Sequence, residues 1–136
     1  MRRYFADSFY FLALLNEDDH YHERVLRFLA DLDAPIVTTD WILTEVGDAL
    51  AGARDRRGFM RLTQHLRRDP EVFIVPARRK HFDEAFGIYA KRMDKDWSLT
   101  DCVSFNVMMH LRLTGALTAD RHFEQAGFTI LLNSPG

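Results

Sequence analysis

Four acidic residues, Asp7, Glu45, Asp101 and Asp120, stand in separated segments where a parallel α/β chain would turn them toward one another. Crowded carboxylates raise one another's pKa, so such a cluster is usually held by a cation. Oxygen donors select hard ions, Mg²⁺ or Mn²⁺, which keep several waters and bind phosphate oxygens well. Two such ions can activate a water for in-line attack on a phosphodiester and steady the leaving oxygen. The set therefore points to metal-assisted hydrolysis. Taken singly, three of the acids also have structural uses. Ser98-Leu-Thr-Asp101 matches a capping box, Asp7 precedes a helix whose dipole it can neutralise, and Asp120 lies in a turn. Glu45 stands among Leu43, Val46 and Ala49, on a helix expected to be largely buried, where an acid without a partner is costly. It asks for a cation.

Short strands alternating with helices are needed to bring these acids together, and the sequence supplies them. Arg3 to Asp7 reads as a strand, and Ser8 is expected to cap a helix through Leu15. Asp19 to Asp33 spaces Val25, Leu26, Leu29 and Leu32 as an amphipathic helix. Ile36 to Thr39 reads as a buried strand, and Thr39 or Asp40 can cap a helix from Trp41 to about Ala53. A helix over Arg56 to Arg68 is closed by Asp69-Pro70, and Val72 to Val75 is the clearest strand. Lys80 to Arg92 places Phe82, Ala85, Phe86 and Tyr89 on one helical face, and Leu99 to Leu113 forms a helix ending at Gly115. Ala116 to Thr118 and Thr129 to Leu132 supply the last strands.

This alternation predicts an α/β fold of three layers, α/β/α, around a central, mainly parallel sheet of five strands. Such sheets put working residues at the carboxyl ends of the strands. Asp7 and Asp120 lie there, and Glu45 and Asp101 occupy the early turns of helices that begin at the same pole.

Three stretches carry a family resemblance: Phe5-Ala-Asp-Ser-Phe-Tyr-Phe-Leu-Ala-Leu-Leu15, Trp97-Ser-Leu-Thr-Asp-Cys-Val-Ser-Phe105 and Leu117-Thr-Ala-Asp-Arg-His-Phe-Glu-Gln-Ala-Gly-Phe128. Over nearly its whole length the chain resembles PIN-domain nucleases, and among them VapC-like toxins and their stand-alone relatives. The resemblance implies a PIN-like fold in which Asp7, Glu45 (in Thr44-Glu45-Val46), Asp101 and Asp120 are the catalytic, metal-binding acids. Ser8, Ser98 and Thr118, adjoining them, look like the family's hydroxyl positions, able to hydrogen-bond a metal water or a carboxylate. It further implies an endoribonuclease using Mg²⁺ or Mn²⁺, a homodimer, and, for a toxin, neutralisation by a small antitoxin. The alternative is a PIN fold that binds RNA or a protein without turnover.

The rest of the sequence is consistent with that expectation. At 136 residues and 47% hydrophobic content, one domain over residues 1–136 is expected. The net charge of −2 hides a segregation: Arg54 to Lys95 holds 12 Lys or Arg against 6 Asp or Glu, leaving −8 for the remainder. Arg54, Arg56, Arg57 and Arg61, around a turn between helices, are the expected phosphate-binding surface for RNA, and an antitoxin could use the same ground. A solvated arginine-rich helix accounts for the charge equally well. No apolar run approaches the roughly 20 residues of a membrane span, and the single Cys102 has no partner for a disulfide, so a cytoplasmic location is expected. Cys102, with no His nearby in sequence, reads as a buried residue. His20 and His22, two apart, read as surface or capping residues. His122 can contact phosphate or pack beside Phe123, and Trp41 and Trp97 can stack on bases or, more simply, fill the core. A phosphoacceptor receiver domain would need paired acids after the first strand and a late Lys, but Asp7 stands alone and no Lys follows Asp101. A phosphatase of the haloacid type would need an acid where Phe9 stands.

Overall fold

The computed structural model describes residues 2–132, so Met1 and residues 133–136 of the expected domain lie outside the described residues. Strands β1 (Tyr4–Ala6), β2 (Ile36–Thr39), β3 (Val72–Val75), β4 (Gly115–Leu117) and β5 (Thr129–Ile130) form one sheet in the order β3-β2-β1-β4-β5. All four pairings are parallel. Between the strands run helices α1 (Ser8–Leu15), α2 (His22–Asp31), α3 (Asp40–Ala49), α4 (Ala53–Arg68), α5 (Arg79–Lys91), α6 (Leu99–His110) and α7 (Arg121–Gln125). The three-layer α/β/α architecture is the one the sequence predicts. Every residue of β2 and β4 is buried, as strands covered on both faces must be.

The chain lays β2 and β3 outward from one side of β1, then returns to lay β4 and β5 on the other. This reversal falls between β1 and β4, and a reversal of strand order opens a crevice beyond the carboxyl ends of the strands that flank it. The register there pairs Phe5 with Ala116 and Ala6 with Leu117. Asp7 and Thr118, the next residues, therefore emerge side by side.

Aromatic packing ties α6 and α7 to this sheet. Phe123 of α7 is buried between Phe5 of β1 and Phe105 of α6, at ring separations of 6.2 and 5.0 Å. Trp97 is buried edge-on against Phe105 and donates its Nε1–H to Gln125 Oε1 at 3.1 Å. It belongs to the core and does not offer a stacking face for bases. Cys102 through Met108 are all buried, which makes α6 the central helix and confirms the buried cysteine.

Several boundaries differ from expectation for local reasons. Ser8 is not the cap of α1: Asp7 occupies the N-cap position, and no side chain caps that end. The α2 helix starts at His22, because the Asp19 carboxylate accepts from Tyr21 N–H and closes a turn before it. Thr39, and not Asp40, caps α3 through Ile42 N–H, while Asp40 Oδ2 accepts from Ala77 N–H at 2.8 Å. Gly52 separates α3 from α4. Gly115 does not end α6. The residue with positive φ there is Arg112, and Gly115 begins β4, where an added Cβ would meet the Tyr4 ring at 3.0 Å. The short α7 was not anticipated, since five residues carry no readable period.

Gly127, between α7 and β5, has φ of 99°, a conformation that side-chain-bearing residues rarely adopt. Gly127→Ala is expected to lower the unfolding free energy by about 1–2 kcal/mol. Urea denaturation of the two proteins checks this, and an unchanged midpoint would show that the turn relaxes without cost.

Candidate active site

The parallel register delivers the first elements of the site. Thr118 Oγ1 donates to Asp7 Oδ2 at 2.8 Å and accepts from Asp120 N–H at 3.1 Å, so one hydroxyl orders the exits of β1 and β4 together. On the other side of β1, Thr38 Oγ1 donates to Ala6 carbonyl oxygen at 3.0 Å. Asp7 is only 6% exposed, and its burial pushes its pKa up from 3.8 to about 7. The Thr118 hydroxyl and the Ser8 amide pull that value down, while the charges of Glu45 and Asp101 push it up. Ser8 thus acts here through its backbone.

A second pair stands at the adjoining helix starts. Ser98 and Asp101 form a complete capping box: Ser98 Oγ accepts from Asp101 N–H, and Asp101 Oδ2 accepts from Ser98 N–H at 3.1 Å. The same Oδ2 receives His122 Nδ1 at 3.0 Å. Asp120 Oδ1 caps α7 by accepting from His122 N–H at 2.9 Å, and lies 3.6 Å from His122 Nδ1. Burial raises the Asp101 pKa and the nearby Asp120 charge adds to this, against the Ser98 amide and His122, which lower it. Asp101 is therefore both a cap and a member of the cluster.

Glu45 departs from expectation in one respect. The buried face of α3 is Ile42, Leu43 and Val46, whereas Glu45 is exposed, so burial does not itself demand a cation at Glu45. Its charge still reaches Asp7. His122 takes a place that the sequence does not indicate. It packs neither as a core residue nor free in solvent, but between Asp101 and Asp120, and Asp101, Asp120 and His122 present ligand atoms all within 4.8 Å of one another. No spacing within the segment carries this signal, because the ring direction follows from how α7 docks on α6.

Arg54, Arg56, Arg57 and Arg61 are exposed on the first turns of α4. Arg56 donates Nε–H to Ala51 carbonyl oxygen and lines a cleft of about 550 Å³ between α3 and α4, with Asp40, Asp48, Phe59, Met60 and Arg67. His22, expected at the surface or at a cap, bonds the Ala13 carbonyl through Nδ1 and joins α2 to α1.

The PIN domain family model matches residues 4–129. The chain belongs to the PIN domain family. A comparison with curated proteins finds no match. Among solved structures, this PIN domain is similar to VapC20 of Mycobacterium tuberculosis, described as a sarcin-ricin loop cleaving toxin. That likeness has 23% identity over 92% of this chain and 95% of that one, and a TM-score of 0.84. FitAcB from Neisseria gonorrhoeae is 18% identical over 96% of each chain, with a TM-score of 0.67. VapBC2 from Rickettsia felis, bound to a promoter DNA fragment, is 11% identical over 95% of this chain and 97% of that one, at 0.67. No helix among the described residues is long and apolar enough to cross a membrane.

The donor set suits a hard divalent cation. It consists of carboxylate oxygens with one imidazole beside them, and Cys102, the lone thiol, is fully buried in the core. A positive charge close to Asp7 would also offset the burial and the neighbouring negative charges that raise its pKa.

Without metal the site should tilt stability with pH. Folding raises the Asp7 pKa, so the folded PIN domain holds a proton that the unfolded chain releases between 3.8 and about 7. Stability must then fall as pH rises through that window. Asp7→Asn, measured in chelator, is expected to be the more stable protein at pH 8, by on the order of 4 kcal/mol at most, with the gap closing toward pH 4. Denaturation at both pH values tests this, and equal stability at pH 8 would contradict the burial cost.

Proposed function

We propose that this PIN domain is a metal-dependent endoribonuclease that hydrolyses RNA phosphodiester bonds, and the toxin of a toxin–antitoxin pair or a stand-alone relative of one. The observation that carries the reading is Asp7: an acid hidden in the crevice where strand order reverses, beside further acids, at a cost the fold does not recover. In this reading Asp7, Asp101 and Asp120 hold Mg²⁺ or Mn²⁺, and exposed Glu45 joins them directly or through water. Thr118 and Ser98 orient the acids they bond, and Ser8 supports Asp7 through its amide. When bound, the metal supplies an activated water and neutralises charge on the phosphate. The description of VapC20 as a toxin that cleaves the sarcin-ricin loop supports RNA as the substrate class.

The α3–α4 cleft, apolar at Leu43, Phe59 and Met60 and charged at its rim, suits a peptide segment of a small antitoxin. Phe86 and Tyr89, each half or more exposed and three residues apart on α5, with exposed Met93 in the turn that follows, support a second copy as a further partner. The exposed arginines of α4 supply a surface for the RNA backbone.

Cleavage of a pool of structured RNAs should require Mn²⁺ and stop in chelator, and Asp101→Asn should lower it by orders of magnitude. A non-catalytic binding module predicts RNA binding without cleavage under either condition. That alternative rests on one observation: the capping box gives Asp101 a structural use without metal.

RNA affinity should also fall with salt. Reversing Arg56 and Arg57 to Glu is expected to weaken RNA binding while leaving Mn²⁺ affinity nearly unchanged. Filter binding at two salt concentrations reads both effects, and affinity indifferent to salt and to the reversals would remove α4 from the RNA surface.

A further inference from the structure

One residue touches two of the acids, and its two contacts use different groups. The His122 backbone N–H donates to Asp120 Oδ1 at 2.9 Å, and the His122 ring meets Asp101 Oδ2 at 3.0 Å through Nδ1. Asp101 comes from the first turn of α6 and Asp120 from the start of α7, two elements that also meet through Phe105 and Phe123. Nδ1 lies between two carboxylate oxygens, at 3.0 and 3.6 Å. A bare lone pair there would face anionic oxygen on both sides, so Nδ1 carries the hydrogen and the ring is a donor. The ring is about one-third exposed, and the Asp101 side chain 14% exposed, so water competes little for this bond.

We infer that His122 is a positioning residue that staples Asp101 to Asp120, setting the separation and orientation at which the two acids meet a divalent cation; this rests on the function proposed above. The staple engages Oδ2 of Asp101 and Oδ1 of Asp120. It keeps the imidazole out of the coordination sphere, because the nitrogen nearest the acids is the one that bears hydrogen. Partners that orient ligating groups typically change metal affinity by about 10–100-fold when removed. The competing possibility is that His122 is itself a ligand, since its nitrogen and the two acids fit within 4.8 Å.

The test titrates the full chain with Mn²⁺ and reads free ion by electron paramagnetic resonance, for the parent, His122→Ala, His122→Asn and His122→Gln. The Asn amide nitrogen falls near the place of Nδ1 and can donate the same bond, whereas the Gln amide reaches the place of Nε2. Expected are a loss of about tenfold or more in Mn²⁺ affinity for the Ala and Gln variants and retention within about threefold for Asn. Pulsed resonance of the Mn²⁺-loaded parent should show no directly bound nitrogen. The inference is overturned if His122→Ala or His122→Gln binds Mn²⁺ as the parent does, if His122→Asn is as weak as they are, or if the parent shows bound nitrogen. Should His122→Ala not fold, the Asn and Gln variants make the same distinction. A parent that binds no Mn²⁺ at all defeats the proposed function and this inference together. A parent that binds it indifferently to position 122 defeats only this one.

Discussion

The hydrogen bond from Thr118 to Asp7 is where the sheet becomes a site. It exists because β1 and β4 are parallel and in register, so the residues following Ala6 and Leu117 emerge together. A slip of one residue in either strand would turn every side chain on that strand to the other face and separate the pair. Thr118 then passes the constraint on by accepting the Asp120 amide, and Asp120 by accepting the His122 amide. Three successive hydrogen bonds thus convert strand register into the placement of four residues, with Asp101 reached at the end through the His122 ring.

The energetic cost of this arrangement is concentrated at Asp7. The other acids retain more solvent or are drawn into caps, where backbone amides stabilise the anion, while Asp7 is buried and feels the charges of Glu45 and Asp101. Apolar packing holds the arrangement in place despite that cost. Cys102 to Met108 are buried in α6, and the Phe5–Phe123–Phe105 contacts tie that helix to β1 and α7. A buried charge in a soft region would be relieved by local opening. Here such opening would also expose the centre of the core.

Much of this was legible in the sequence because it depends on local pattern. Alternating strands and helices placed Asp7 and Asp120 at one pole, and Ser98-Leu-Thr-Asp101 announced its capping box, which the structure contains. The clustering of arginines on α4 was equally plain. Glu45 lies on the helix that the sequence implies but is exposed on it, although Leu43, Val46 and Ala49 suggest an apolar surround. Ala49 is in fact exposed, and the buried stripe runs through Ile42, Leu43 and Val46. His122 was out of reach for a different reason. Its ring direction follows from how α7 docks on α6 through Phe123 and Phe105, a tertiary relation that no spacing within the segment encodes. The helix boundaries that moved did so through single side-chain bonds, such as Asp19 to Tyr21, which compete with helix formation over one turn.

The capping role of Asp101 bears on how this chain could change over evolutionary time. Its carboxylate closes the first turn of the most buried helix in the described structure, independently of any reaction. Whatever the site does, selection on the helix alone would keep an acid there, or another residue able to accept the Ser98 amide. An acid at position 101 is thus weak testimony that a relative is active. Asp7 is the better witness: it caps no helix through its side chain, and its charge burdens the fold, so without a need for that charge, drift toward a neutral residue at that position would be favoured.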